Sequence, residues 1–270
     1  SAKLVANGTF DISATTSGAS IKSLDGSGSV VLGGKALTLS AANDSFAGEI
    51  SGSGSVTLSS GTQTLTAANS YTGATIVNGG TLVITHTDGL GTVAAGTTVA
   101  NGATLDLQGV SIGSEAITLN GGTLATTSGT SALSGSVSLG SDSAVSVGGA
   151  QLTLSGIISG ASYGVTKSGS GVLVLSNTNT YGGDTNISAG TLKLTGSLNT
   201  STNVVMTNSA VWDLQVAQTI AGLTMASGNS ITNTSGTSSL TVTGAATLAN
   251  SITTTGTQTY NGAVTLGADT

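Results

Sequence analysis

Any chemistry in these 270 residues would have to come from eleven carboxylates, five lysines, one histidine and many hydroxyls; arginine and cysteine are absent. The carboxylates stand singly: Asp11, Asp25, Asp44, Glu49, Asp88, Asp106, Glu115, Asp142, Asp184, Asp213 and Asp269. Cleaving a glycan needs paired carboxylates, and eliminating across one needs a strong base, often beside a bound cation. Only one set shares its surroundings. Val5-Ala-Asn7-Gly-Thr-Phe10-Asp11-Ile12 parallels Val99-Ala-Asn101-Gly-Ala-Thr-Leu105-Asp106-Leu107 and Met206-Thr-Asn208-Ser-Ala-Val-Trp212-Asp213-Leu214. In a stacked fold these copies would lie several coils apart, on the order of 20 Å from one to the next. Carboxylates that far apart cannot share a metal at about 2.4 Å. Asp11, Asp106 and Asp213 are expected to be solvated, each between two buried neighbours.

The remaining chemical candidates have simpler readings. Asp25, in Leu24-Asp25-Gly26-Ser27-Gly28, lacks the repeated array of a calcium-binding loop and suits an Asx turn. His86 and Asp88 lie in Thr85-His86-Thr87-Asp88-Gly89 with no nucleophile elbow before a helix, which suits a surface turn. Gly52-Ser-Gly54 and Gly169-Ser-Gly171 are corners, because no helix follows to bind phosphate. No catalytic, cofactor-binding or metal-binding residue is expected, and the chain reads as a non-enzyme. Trp212 replaces Leu105 between the phrases ATLDLQ and AVWDLQ, which predicts an inward ring; the alternative is an exposed platform for a sugar. Tyr71 and Tyr181 carry the same two readings, packing or glycan stacking, and packing suits their repeated setting better.

The elements that would position these residues are short strands. Apolar-x-apolar triplets recur: Leu37-Thr-Leu39, Val56-Thr-Leu58, Leu152-Thr-Leu154, Leu173-Val-Leu175, Leu192-Lys-Leu194 and others. Alternation with a period of two marks strands with one buried face. Gly, Ser and Asn clusters between them supply corners. The absence of proline suits ladders in which every N–H donates. An apolar fraction of 37% argues against a disordered Gly/Ser linker, and no apolar run reaches the length of a membrane span. The net charge of −6, without a basic stripe, disfavours nucleic acid and anionic membranes as partners.

Two phrases match without a gap. Leu65–Ile84, LTAANSYTGATIVNGGTLVI, lies on Leu175–Leu194, SNTNTYGGDTNISAGTLKL following Leu175, at a spacing of 110 residues. An aromatic-x-Gly corner recurs as Phe46-Ala-Gly48, Tyr71-Thr-Gly73, Tyr181-Gly-Gly183 and Tyr260-Asn-Gly262. A β-sandwich would want longer strands, hairpin turns and more aromatic core. Short strands with corners every few residues fit an all-β parallel β-helix, a solenoid of roughly 11–13 coils. The expected organisation is a single continuous segment over residues 1–270, part of a longer repetitive chain, with strand-repeat copies near 39–58, 65–84 and 171–194.

The longer phrase resembles the passenger-associated strand repeat of bacterial autotransporters, and its texture is similar to that of haemagglutinin-like giant repetitive surface proteins. The residues that carry the resemblance are Gly171, Leu173, Leu175, Asn179, Tyr181, Gly183, Thr185, Gly190 and Leu192, with Asn69, Tyr71, Gly73, Thr75, Gly80 and Leu82 upstream and Phe46 in place of tyrosine in the copy near 39–58. The resemblance implies a right-handed β-helix exported through the outer membrane to the bacterial surface. The function expected is structural, in an adhesin, stalk or filament, with self-association by head-to-tail coil stacking or contact with other surface or matrix components. The alternative is a module that binds carbohydrate or a host surface; a polysaccharide-degrading enzyme ranks last.

Overall fold

A computed structural model describes residues 2–267. Within them the chain is all β, without a helix, and its strands pair in parallel as a β-solenoid of about thirteen turns. Asp269 lies outside the described residues. The chain divides into two compact units, Ser1–Ser136 and Val137–Thr270.

The first unit stacks seven strands on one face, from Leu4–Ala6 through Gly61–Leu65 and Thr81–Ile84 to Thr123–Thr126. A second face carries six, from Ala19–Ile21 to Ile117–Asn120. The third side is broken into short runs such as Ser29–Val31 over Ile50–Ser51. Register puts like on like: Leu82 pairs with Leu105, which pairs with Leu124, and Leu39 pairs with Leu58, which pairs with Val77. All of these side chains are buried. Each such leucine stabilises the stack by roughly 2–3 kcal/mol.

The second unit repeats the arrangement. Seven strands stack from Ser143–Val147 to Val264–Leu266, and five more from Gln151–Leu154 to Ser230–Thr232. Leu152, Leu173, Leu192, Trp212 and Ile231 form one inward column. Trp212 is fully buried in it, so the ring fills core as its place in the phrase predicts, although its Nε1 has no hydrogen-bond partner.

Where the ladder lapses, a buried glutamine replaces it. Leu24 is not in register with the strand that follows it, which meets Leu24–Gly26 only at Gly26 and Phe46. The Gln63 side chain therefore reaches across a coil, accepting from the Leu24 N–H at 3.1 Å and donating to the Leu24 carbonyl at 2.8 Å. Gln218 makes the same pair of bonds to Leu198 in the adjacent coil, at 2.9 and 3.1 Å.

The aromatic-x-Gly phrase resolves into two structural roles. Tyr71 donates its backbone N–H to the Ile50 carbonyl, and Tyr181 donates to that of Ile158, so both occupy a corner over a two-residue strand, Ile50–Ser51 and Ile158–Ser159. Phe46 instead ends a strand and pairs with Leu65, and Tyr260 pairs with Val242. Phe46 is thus not the counterpart of Tyr71: its side chain stands where the ladder alternation puts it, not at the corner.

Candidate functional site

The repeat is built from two consecutive half-coils. In the first copy, Val56–Leu58 stacks beneath Thr75–Val77 and Gly61–Leu65 beneath Thr81–Ile84. In the second, Val165–Ser168 stacks beneath Thr185–Ile187 and Val172–Leu175 beneath Thr191–Leu194. Between the two levels runs the Asn-x-Tyr corner, whose residues do the same work in both copies. Asn69 accepts the Ile50 N–H at 2.8 Å and donates to the Gly89 carbonyl at 2.7 Å, tying the coil below to the coil above. Asn179 accepts the Ile158 N–H and donates to the Ser197 carbonyl, each at 3.0 Å.

Two residues on, Tyr71 and Tyr181 point inward with no exposed surface. Their hydroxyls share hydrogen bonds of 2.6 and 2.7 Å with Thr75 and Thr185, which explains the threonine four residues later. Burial drives both phenols well above the ordinary tyrosine range, although the threonine bond opposes it. Neither ring can stack on a glycan. A Cβ on Gly73 or Gly183 would collide with backbone of the preceding coil at 2.2 or 2.4 Å, and Gly80 and Gly190 hold φ of +75° and +64°. Every signature residue of the repeat is therefore accounted for by coil packing.

The carboxylates do not converge. Among the described residues no group of three His, Cys, Asp or Glu side chains could hold a metal ion. Asp11 is exposed and bonded by Ser13, which holds its carboxyl below the usual range. Lys3 donates to Asp25 at 2.8 Å and to Asp44 at 2.6 Å, lowering both carboxyls. Asp25 also accepts the N–H of the adjacent Gly26 at 2.7 Å, inside the strand Leu24–Gly26; this is one residue short of the bond that defines the expected Asx turn. His86 accepts the Asp88 N–H at 3.1 Å in an exposed turn. Asp142 accepts the Gly164 N–H, Asp184 accepts from Asn203, and Glu49 accepts the Ser70 hydroxyl.

Asp106 and Asp213 depart from the expectation of solvated carboxylates: they are only 3% and 5% exposed. Each is clasped by its own strand and by the next coil. Asp106 accepts the Thr127 N–H at 2.9 Å, the Thr127 hydroxyl at 2.6 Å and the Gln108 amide at 2.7 Å. Asp213 accepts the Thr234 N–H at 2.9 Å, the Thr234 hydroxyl at 2.6 Å and the Gln215 amide at 2.8 Å. The glutamine two residues along and the threonine of the next coil supply the donors that water would otherwise provide. Asp11, followed by Ile12 and Ser13, has no such glutamine and stays exposed.

Two buried charged groups escaped sequence reasoning. Glu115 is 3% exposed, bonded by the Thr97 hydroxyl at 2.7 Å, and burial raises its carboxyl above the usual range. Lys167 is 1% exposed and pairs in register with Ile187, at the place where the first copy has Leu58 beneath Val77. Its ammonium donates to the carbonyls of Ser168, Gly169 and Ala189 at 2.9, 2.7 and 3.0 Å. Burial lowers its pKa to about 8. The available signal was the alternation itself, since Val165-Thr-Lys167 puts lysine at an inward position.

Residues 56–84 and 165–194 both match the passenger-associated-transport-repeat, the repeat of autotransporter passengers. No curated protein and no solved structure is significantly similar to the chain.

Proposed function

We propose that the chain is a non-catalytic, structural part of a passenger displayed on the bacterial surface, the body of an adhesin, stalk or filament. The observation that carries this reading is the paired match to the passenger repeat, with its Asn, Tyr, Thr and Gly positions all committed to joining coils. A solenoid so constructed extends by adding coils and keeps its outward face free to vary. Low charge and scattered carboxylates support a scaffold over an enzyme.

Export is the testable core of the reading. Antibody raised to the purified solenoid should label intact cells that produce the protein, and added protease should remove the label. Labelling only after the cells are permeabilised would refute surface display.

A further inference from the structure

The two aspartate clasps hold the parts of a group-transfer reaction as well as a hydrogen-bond network. In each, a threonine hydroxyl donates to a buried carboxylate at 2.6 Å, an arrangement that prepares the oxygen as a nucleophile. The Gln108 amide nitrogen lies 2.9 Å from Thr127 Oγ1, and that of Gln215 lies 2.7 Å from Thr234 Oγ1. The amide carbon is one bond further on. The carboxylate oxygen that accepts the hydroxyl proton also accepts the amide N–H, at 2.7 Å in one clasp and 2.8 Å in the other. One base thus touches both the nucleophile and the leaving nitrogen. In the second clasp the Ser235 hydroxyl also donates to Gln215 Oε1 at 3.0 Å, where negative charge would develop.

We propose that the clasps are sites of intramolecular ester formation, joining Thr127 to Gln108 and Thr234 to Gln215. The aspartate takes the hydroxyl proton. The amide turns about its terminal side-chain bond, and threonine Oγ1 forms a bond to the glutamine Cδ. The Cδ–Nε2 bond then breaks as the aspartate returns the proton to nitrogen. Ammonia leaves, the carboxylate is restored, and no oxidant or cofactor takes part. Holding nucleophile and acyl group in contact replaces the encounter that makes the same exchange slow between free molecules. The two products each link one pair of neighbouring coils in a chain without cysteine, where a disulfide cannot form.

Intact mass of the full chain under denaturing conditions, after incubation at neutral pH, tests the proposal. The expected mass is lower than the sequence mass by two molecules of ammonia. Thr127→Val and Thr234→Val should each restore one, and the double variant both. Fragmentation should find residues 108 and 127 joined, and likewise 215 and 234. Succinimide formation at an Asn-Gly pair such as Asn101-Gly102 loses the same mass without joining distant residues. An unmodified wild-type mass, a loss located at such a pair, or a loss unchanged in the double variant would overturn the proposal.

Discussion

Replacing Lys167 with methionine should remove one limb of the protein's pH dependence. The ammonium sits in a column of apolar side chains, and burial moves its pKa from 10.5 to about 8. Unfolded, the same lysine holds its proton to higher pH, so between about pH 8 and 10.5 the unfolded chain binds more protons than the folded one. Stability therefore rises with pH across that window, and the gain is gone once pH falls to about 8, where both states hold the proton. Each tenfold change in proton affinity is about 1.4 kcal/mol, so burial alone would give ~3 kcal/mol. The three carbonyls around the ammonium favour the charged form and oppose the shift without cancelling it. Methionine fills the same column without charge, and at pH 7 it should match the wild type within about 1 kcal/mol. Urea midpoints followed by circular dichroism at pH 7, 8.5 and 9.5 and constant ionic strength provide the assay. The wild type should gain stability over that range and Lys167→Met should not. Equal pH dependence in the two proteins would refute a buried, strained ammonium at this position.

Tyr181→Phe should cost about 1–2 kcal/mol, because it strips the Thr185 hydroxyl of a buried partner, and it should weaken the fall in stability above about pH 10. That fall has the opposite sign to the lysine limb, since the folded phenol keeps its proton where the unfolded one loses it; base titration monitored by circular dichroism resolves it. In the unmodified chain, Asp213→Ala should cost about 2–3 kcal/mol by taking away the acceptor of the Thr234 N–H and hydroxyl, and Asp11→Ala less than about 0.5 kcal/mol. Comparable urea midpoints for these two variants would contradict the clasp. Asn208 and Ser209 hold φ of 54° and 57°, in the turn where the matched phrase has Asn101-Gly102, so Ser209→Gly should raise stability by about 0.5–1 kcal/mol in thermal melts.

Alternation was enough to read the inward columns from sequence. Leu173, Leu192 and Trp212 lie in one column because a period of two assigns faces before any coil is stacked. The repeat was legible because Asn, Tyr and Thr recur at fixed offsets within one corner. The clasps were not, because their geometry joins residues 21 apart, Asp106 to Thr127 and Asp213 to Thr234, across neighbouring coils. The local hint was the glutamine shared by LDLQ and WDLQ and absent after Asp11. Phe46 misled for a related reason: an aromatic-x-Gly triplet looks the same at a strand end as at a corner, and only register with Leu65 separates the two.

The inward placement of the repeat signature also limits what that signature can say about partners. Asn69, Tyr71 and Thr75 are buried, as are Asn179, Tyr181 and Thr185. Their recurrence reports the demands of a corner, and a partner approaching from outside would meet none of their side chains. The two copies differ at inward and at half-buried positions: through the register of each copy, Gln63 stands where the second copy has Leu173 and Leu58 where it has Lys167, while Thr62 corresponds to Val172 and Val83 to Lys193. The Asn, Tyr and Thr of the corner stay the same while these strand positions change in polarity and charge. The repeat signature therefore specifies the corner and leaves the outward face of the solenoid unspecified.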